Sequence, residues 1–93
     1  MGVNFEIFYH QLVVKEDMLK LGNADKNNIR KAIENKLTTN PETFGKPLRR
    51  SLKGYRKLRV GDYRVIYRIE SKKVKIFYIG HRSIVYKKAD KRF

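Results

Sequence analysis

The sequence predicts an α+β fold: an N-terminal strand, a helical hairpin, then three to four antiparallel strands forming a twisted sheet with a concave basic face. Three observations carry that expectation. Apolar residues recur at helical spacing from Gln11 to Leu37 and at alternate positions from Tyr55 onward, so the period changes from about 3.6 to 2. Turn residues divide the second half into runs too closely spaced for crossover connections. Between Lys46 and Arg68, nine Lys or Arg stand against one acid, Asp62, which builds positive charge into the strands themselves.

Val3 to Tyr9 alternates in its first half and is rich in β-branched and aromatic residues, as a short strand is. Gln11 to Leu21 sets Leu12, Val13, Val14, Met18, Leu19 and Leu21 around Lys15, Glu16 and Asp17, and stops at Gly22-Asn23, a helix cap and turn. From Asp25 to Leu37, the residues Ile29, Ala32, Ile33 and Leu37 make one apolar stripe while Lys26, Arg30, Lys31 and Glu34 stay in water. These two helices are expected to form the hairpin. Asn40-Pro41 ends the second, because the residue before proline avoids the helical region, and Pro41 to Pro47 reads as a connecting loop. Tyr55 to Val60, Tyr63 to Glu70 and Lys73 to Gly80 read as strands separated by Gly61-Asp62 and Ser71-Lys72. Lys87 to Phe93 is expected to fray as a basic end.

Ninety-three residues suit one domain, 1–93. With 23 Lys and Arg against nine Asp and Glu, the formal charge is +14 and the pI about 10.3, which implies an anionic partner. Nucleic acid ranks first, an acidic protein second and an anionic membrane surface third, since no long helix sets lysines opposite large apolar residues. The absence of cysteine excludes disulfides, zinc knuckles and a thiol nucleophile. The start lacks the pattern of a secretory signal and no apolar run approaches the roughly 20 residues of a membrane span, so a soluble, cytoplasmic protein is expected.

Strand alternation puts Tyr55, Lys57 and Arg59 on one side and Leu58 and Val60 on the other, beside Arg56. In the next strand Tyr63, Val65, Tyr67 and Ile69 take the apolar side, leaving Arg64, Ile66 and Arg68 opposite. If the helices cover the apolar sides, Lys57, Arg59, Arg64 and Arg68 converge on the uncovered surface. The third strand is apolar in both phases, so periodicity leaves its orientation open; Gly80-His81-Arg82 stands at its end, and Tyr86 follows.

Metal-free RNA cleavage needs a base for the 2′-OH proton, cations on the phosphate and an acid for the leaving 5′ oxygen. The clustered Lys and Arg would hold the phosphate, and Lys57, crowded by like charges, is a candidate base. His81 is acid or base near neutrality, and Tyr86 a stacking plane or proton donor. Lys53, Arg56, Arg59, Arg68, Lys87 and Lys88 supply further contacts to an RNA backbone. Nothing in the sequence has metal-ligand spacing or a glycine-rich phosphate loop, so no cofactor and no metal are expected. For His81 and Tyr86 the plain alternatives are a polar strand end and a carboxyl-terminal anchor.

The run Leu52-Lys53-Gly54-Tyr55-Arg56-Lys57-Leu58-Arg59-Val60-Gly61-Asp62-Tyr63-Arg64-Val65-Ile66-Tyr67, with Ile79-Gly80-His81-Arg82 and Tyr86 beyond it, resembles the RelE/ParE toxin superfamily, closest to its RelE branch. The resemblance implies a toxin of a type II toxin-antitoxin pair that enters the ribosomal A site and cuts mRNA there without metal. By motif it assigns Lys57, Arg64, Arg82 and Tyr86 to catalysis, with His81 beside Arg82, either of which would serve as the leaving-group acid. Tyr55 stands where the prototype has a second catalytic lysine, and Tyr86 follows Arg82 at a shorter spacing. The resemblance further implies an acidic antitoxin, and a complex that binds its operator DNA through that antitoxin. Two other readings fit the same charge: a ParE-like inhibitor of DNA gyrase without nuclease activity, and a non-catalytic basic protein that binds RNA or the ribosome.

Overall fold

The structure, a computed structural model, describes residues 4–92; Val3, placed at the start of the first strand, lies outside them. The strand β1 spans Glu6–Tyr9. A π-helical turn, Val13–Asp17, runs into a 3₁₀ turn, Met18–Lys20. Helix α1, Asn23–Ala32, continues through a second π-helical turn, Ile33–Leu37. The stretch read as a loop is ordered: one helical turn, α2 (Pro41–Phe44), leads into a short strand, β2 (Lys46–Pro47). Pro41 sits at the start of that turn, where its missing N–H costs nothing, and Pro47 lies on a sheet edge, where proline is tolerated. The three long strands are β3 (Arg56–Val60), β4 (Tyr63–Glu70) and β5 (Lys73–His81).

All five strands form one sheet in the order β1-β5-β4-β3-β2, with β1 parallel to β5 and every other pair antiparallel. One face carries Leu58, Val65, Tyr67, Val74, Ile76 and Ile79 and is covered by Val13, Leu21, Ile29, Ile33 and Leu37 of the helical layer. That is the two-layer arrangement the alternating and helical periods call for.

The other face differs from expectation. The basic segment forms a helix, α3 (Val85–Asp90), whose Val85 and Ala89 are buried against Ile66, Tyr78 and Leu52; Phe93, the last residue of the stretch expected to fray, lies outside the described residues. The surface opposite the helical layer is therefore partly covered. Among the described residues no helix is long and apolar enough to cross a membrane.

Tyr67 ties α2 to the sheet. Fully buried, it donates its hydroxyl to the Pro41 carbonyl at 2.5 Å, and burial pushes its phenol up to about 12, with Arg56 opposing. The folded state thus favours the neutral phenol relative to an unfolded value near 10. This contribution is fully present below about pH 10 and is lost as pH rises through about 12, amounting to roughly 2–3 kcal/mol. Tyr67→Phe strands the Pro41 carbonyl and is expected to cost about 1–3 kcal/mol at neutral pH. Urea titrations at pH 8, 10 and 12 should show the variant losing less stability across the alkaline range than the parent.

Candidate functional site

Register decides which cations meet. Lys46 lies directly opposite Lys57 across β2 and β3, and Arg59 directly opposite Arg64 across β3 and β4. Residues opposite each other in an antiparallel pair point to the same side, so two like-charge pairs sit next to one another on one face. Lys46, Lys57, Arg59 and Arg64, with Phe44, line a hollow of about 190 Å³ that has no carboxylate in its wall. Like charges set directly opposite destabilise a sheet, so such pairs are the local sacrifice expected where an anion is to be held.

The supporting contacts fix orientation. The Arg64 guanidinium donates through Nη1 to the carbonyls of Gly61 (3.0 Å) and Tyr63 (2.9 Å), which anchors it at the β3–β4 turn. Gly61 takes φ +58, the left-handed conformation that glycine adopts without strain in a two-residue hairpin. Tyr86, from α3, lies on this same face: Lys57 Nζ is 5.4 Å from the centre of its ring. Arg82 joins the same end of the sheet, its backbone N–H donating to Asp62 O at 2.8 Å and its Nε 3.9 Å from Asp62 Oδ1. Lys57, Arg64 and Tyr86 thus share one face, whereas the Arg82 side chain meets Asp62, which lines a different hollow.

His81 does not join them. It pairs in register with Tyr63, a residue of the helix-covered face, and their rings meet edge to face with centroids 5.8 Å apart. It lines a separate hollow with Asp25, Asn28 and Asp62. Burial, then the Asp25 carboxylate, raises the Tyr63 phenol there. The Ser83 backbone N–H donates to His81 Nδ1 at 3.1 Å, so the proton of the neutral ring is on Nε2. The sequence motif placed Gly80-His81-Arg82 near the cations, but alternation sends the histidine through to the opposite side.

Arg56 is also displaced from its expected role. It points toward α2, donating to Glu42 O (3.2 Å) and Gly45 O (3.0 Å), and so supports the β2 connection. Arg68 is on the α3 face but pairs with Glu70 at 2.5 Å, at the far end of β4. Lys75, then Arg68, hold the Glu70 carboxyl below its usual range. Lys53, Lys87 and Lys88 are exposed, the last two on α3 beside Tyr86.

Two further groups escape a reading of the sequence. Lys46 belongs to the hollow, and its signal was the Gly45-Lys46-Pro47 step, which also reads as a loop. Asp17 and Arg92 form a buried bidentate ion pair, Nη1–Oδ2 2.7 Å and Nη2–Oδ1 2.9 Å, with side chains 1% and 5% exposed. No local pattern announces a partner 75 residues away.

The family model described as the ParE toxin of type II toxin-antitoxin systems, parDE, matches residues 6–86. Toxin RelE of Mycobacterium tuberculosis is 45% identical over 53 residues, 55% of this chain and 55% of that protein, so the match spans about half the length of that relative. A chain in the crystal structure of the toxin-antitoxin complex RelBE2 from the same organism gives a TM-score of 0.80 at 30% identity, covering 87% of this chain and 94% of that one. The Escherichia coli toxin RelE, a mutant in the free state, gives 0.63 at 21% identity over 97% and 98%, a likeness of fold. The family-model match over residues 6–86 and the likeness to the RelBE2 chain agree: this protein belongs to the ParE toxin family of type II toxin-antitoxin systems, within the RelE/ParE superfamily.

Proposed function

We propose that this toxin is a ribosome-dependent mRNA endoribonuclease that cuts the message in the A site by attack of the ribose 2′-oxygen on the adjacent phosphorus. The supporting observation is the acid-free hollow of Lys46, Lys57, Arg59 and Arg64, with Tyr86 against Lys57. In this reading the 2′-O–P bond forms as the P–O5′ bond breaks, leaving a cyclic phosphate and a free 5′-hydroxyl. Lys57 takes the 2′-proton, and Arg64 with Arg59 holds the charge that develops on the non-bridging oxygens. Arg82 stabilises the departing 5′ oxygen, which takes its proton from water, and Tyr86 stacks on a base. No step is routed through a metal. The ribosome supplies the orientation of the phosphate, so free RNA is a poor substrate. An acidic antitoxin is the partner that the net charge of +14 favours.

The test is a ribosome programmed with a defined message and incubated with the protein. Cleavage at the A-site codon, unchanged by chelator, is the expected result, and His81→Ala should retain activity within about 10-fold because its ring faces the helical layer. Intact message in the presence of folded protein overturns the reading. The family-model match by the ParE name favours one alternative, inhibition of DNA gyrase, and a supercoiling assay would then show it.

A further inference from the structure

The strand β1 ends at Tyr9, opposite Ile76, so β5 continues with one edge lacking a neighbouring strand. Two side chains complete that edge. Asp17 Oδ2 accepts the Ile79 backbone N–H at 3.0 Å, and Arg92 Nη1 donates to the Phe77 carbonyl at 3.0 Å. The two side chains then bind each other through the bidentate contact, and the Arg92 guanidinium lies 4.2 Å from the centre of the Tyr78 ring. Asp17 belongs to the helical layer, Ile79 and Phe77 to the sheet, and Arg92 lies two residues beyond α3. One ion pair therefore joins all three layers.

That location bears on the site. Six residues long, α3 is too short to be stable alone and owes its order to packing. Val85 and Ala89 provide an apolar seat, which fixes burial but specifies rotation and translation weakly. The planar fork of Arg92 adds direction, because a bidentate pair has one geometry. Tyr86, six residues before, is then held over Lys57.

We propose that Arg92 and Asp17 are positioning residues for the reaction: their pair across the open edge of β5 sets α3 so that Tyr86 stands against Lys57. The proposal rests on the nuclease reading for its kinetic consequence only. Its structural consequence is independent of any activity.

The test uses the full chain carrying Asp17→Asn with Arg92→Gln, which neutralises both partners and leaves no buried lone charge. Three readouts apply. Ring-current shifts of the Lys57 ε-methylene protons are expected to move to the values seen in Tyr86→Ala. Hydrogen exchange at Lys88, which donates to Ile84 O, should accelerate by about 100-fold while β4 amides keep their protection. Single-turnover cleavage should fall by about 10–100-fold at unchanged affinity for the ribosome, and adding Tyr86→Ala should then cost less than about 3-fold, as for residues acting as one unit.

Retention of the wild-type Lys57 shifts in the folded double variant overturns the proposal. So does a Tyr86→Ala effect of the same size in both backgrounds. If the double variant loses its fold, Arg92→Lys supplies the same readouts, since a lysine keeps the charge but cannot form the fork or reach the Phe77 carbonyl as well. If wild-type protein leaves message intact, the nuclease reading fails, and the proton shifts and exchange rates alone decide whether the pair positions Tyr86.

Discussion

Replacing Arg64 by alanine is expected to lower single-turnover cleavage on programmed ribosomes by roughly 100-fold or more, equivalent to about 3–4 kcal/mol of transition-state stabilisation. The expectation follows from register. Arg64 stands directly opposite Arg59, and its guanidinium is held by the Gly61 and Tyr63 carbonyls, so its position costs no reorganisation when charge develops on a phosphate. Arg64→Lys should rescue little, because an ammonium on a flexible stem cannot hold a carbonyl and grip two phosphate oxygens in one plane. Stability should move the other way or hardly at all. Removing one member of a like-charge cross-strand pair relieves about 0.2–1 kcal/mol, offset by the loss of two partly exposed hydrogen bonds. Urea denaturation alongside the kinetics checks this: a large loss of activity with stability unchanged to within about 1 kcal/mol identifies a functional arginine. A variant that loses both in proportion would make Arg64 a structural residue.

The cationic face was legible because period two is strict. Lys57 and Arg59 alternate with Leu58 and Val60, and Arg64 alternates with Tyr63 and Val65, so each strand declares its wet and dry sides. The last strand did not, and the structure gives the reason. Tyr67 pairs with Ile76 but Ile66 pairs with Tyr78, so Phe77 is an extra residue in a bulge. The bulge shifts the alternation between Ile76 and Ile79, both of which face the helical layer, and a run that changes phase in its middle reads as apolar on both sides.

The same phase decides where Gly80-His81-Arg82 stands. Adjacency in sequence suggested one cluster, but His81 lies in register with Tyr63 and so faces away from the cations. The helix α3 was missed for a different reason. Val85 and Ala89 are its only buried positions, too few to stand out among Lys87, Lys88 and Lys91, and the Asp17 contact that completes it is remote. Arg56 shows the limit of counting charges: it belongs to the cationic run by composition, but its fork satisfies the carbonyls of Glu42 and Gly45.

Gly45→Ala is expected to be the most destabilising Gly→Ala change among the described glycines, its added Cβ meeting the closest atoms of any of them. The backbone at this position, φ −104 and ψ 140, suits any residue, so conformation does not require glycine; space does. A Cβ built there would lie 1.7 Å from Tyr67 Oη and 2.5 Å from its Cζ. Tyr67 cannot yield cheaply, since it is fully buried and its hydroxyl holds the Pro41 carbonyl. Overpacking of about 1–3 kcal/mol adds to about 1–3 kcal/mol for the hydrogen bond displaced, so a total of about 2–6 kcal/mol is expected. For a domain of this size that lowers Tm by at least roughly 8 °C. Lys46 follows Gly45 directly, so any relief by moving the backbone also shifts Lys46 from opposite Lys57 and weakens the hollow. Thermal melts of Gly45→Ala, Tyr67→Phe and the double variant check the cause. Losing the hydroxyl removes the nearest clashing atom, so the double variant should be more stable than the sum of the single effects allows, by more than about 1 kcal/mol. Additive effects would mean that the approach of Gly45 to the phenol is not what fixes a glycine at this position.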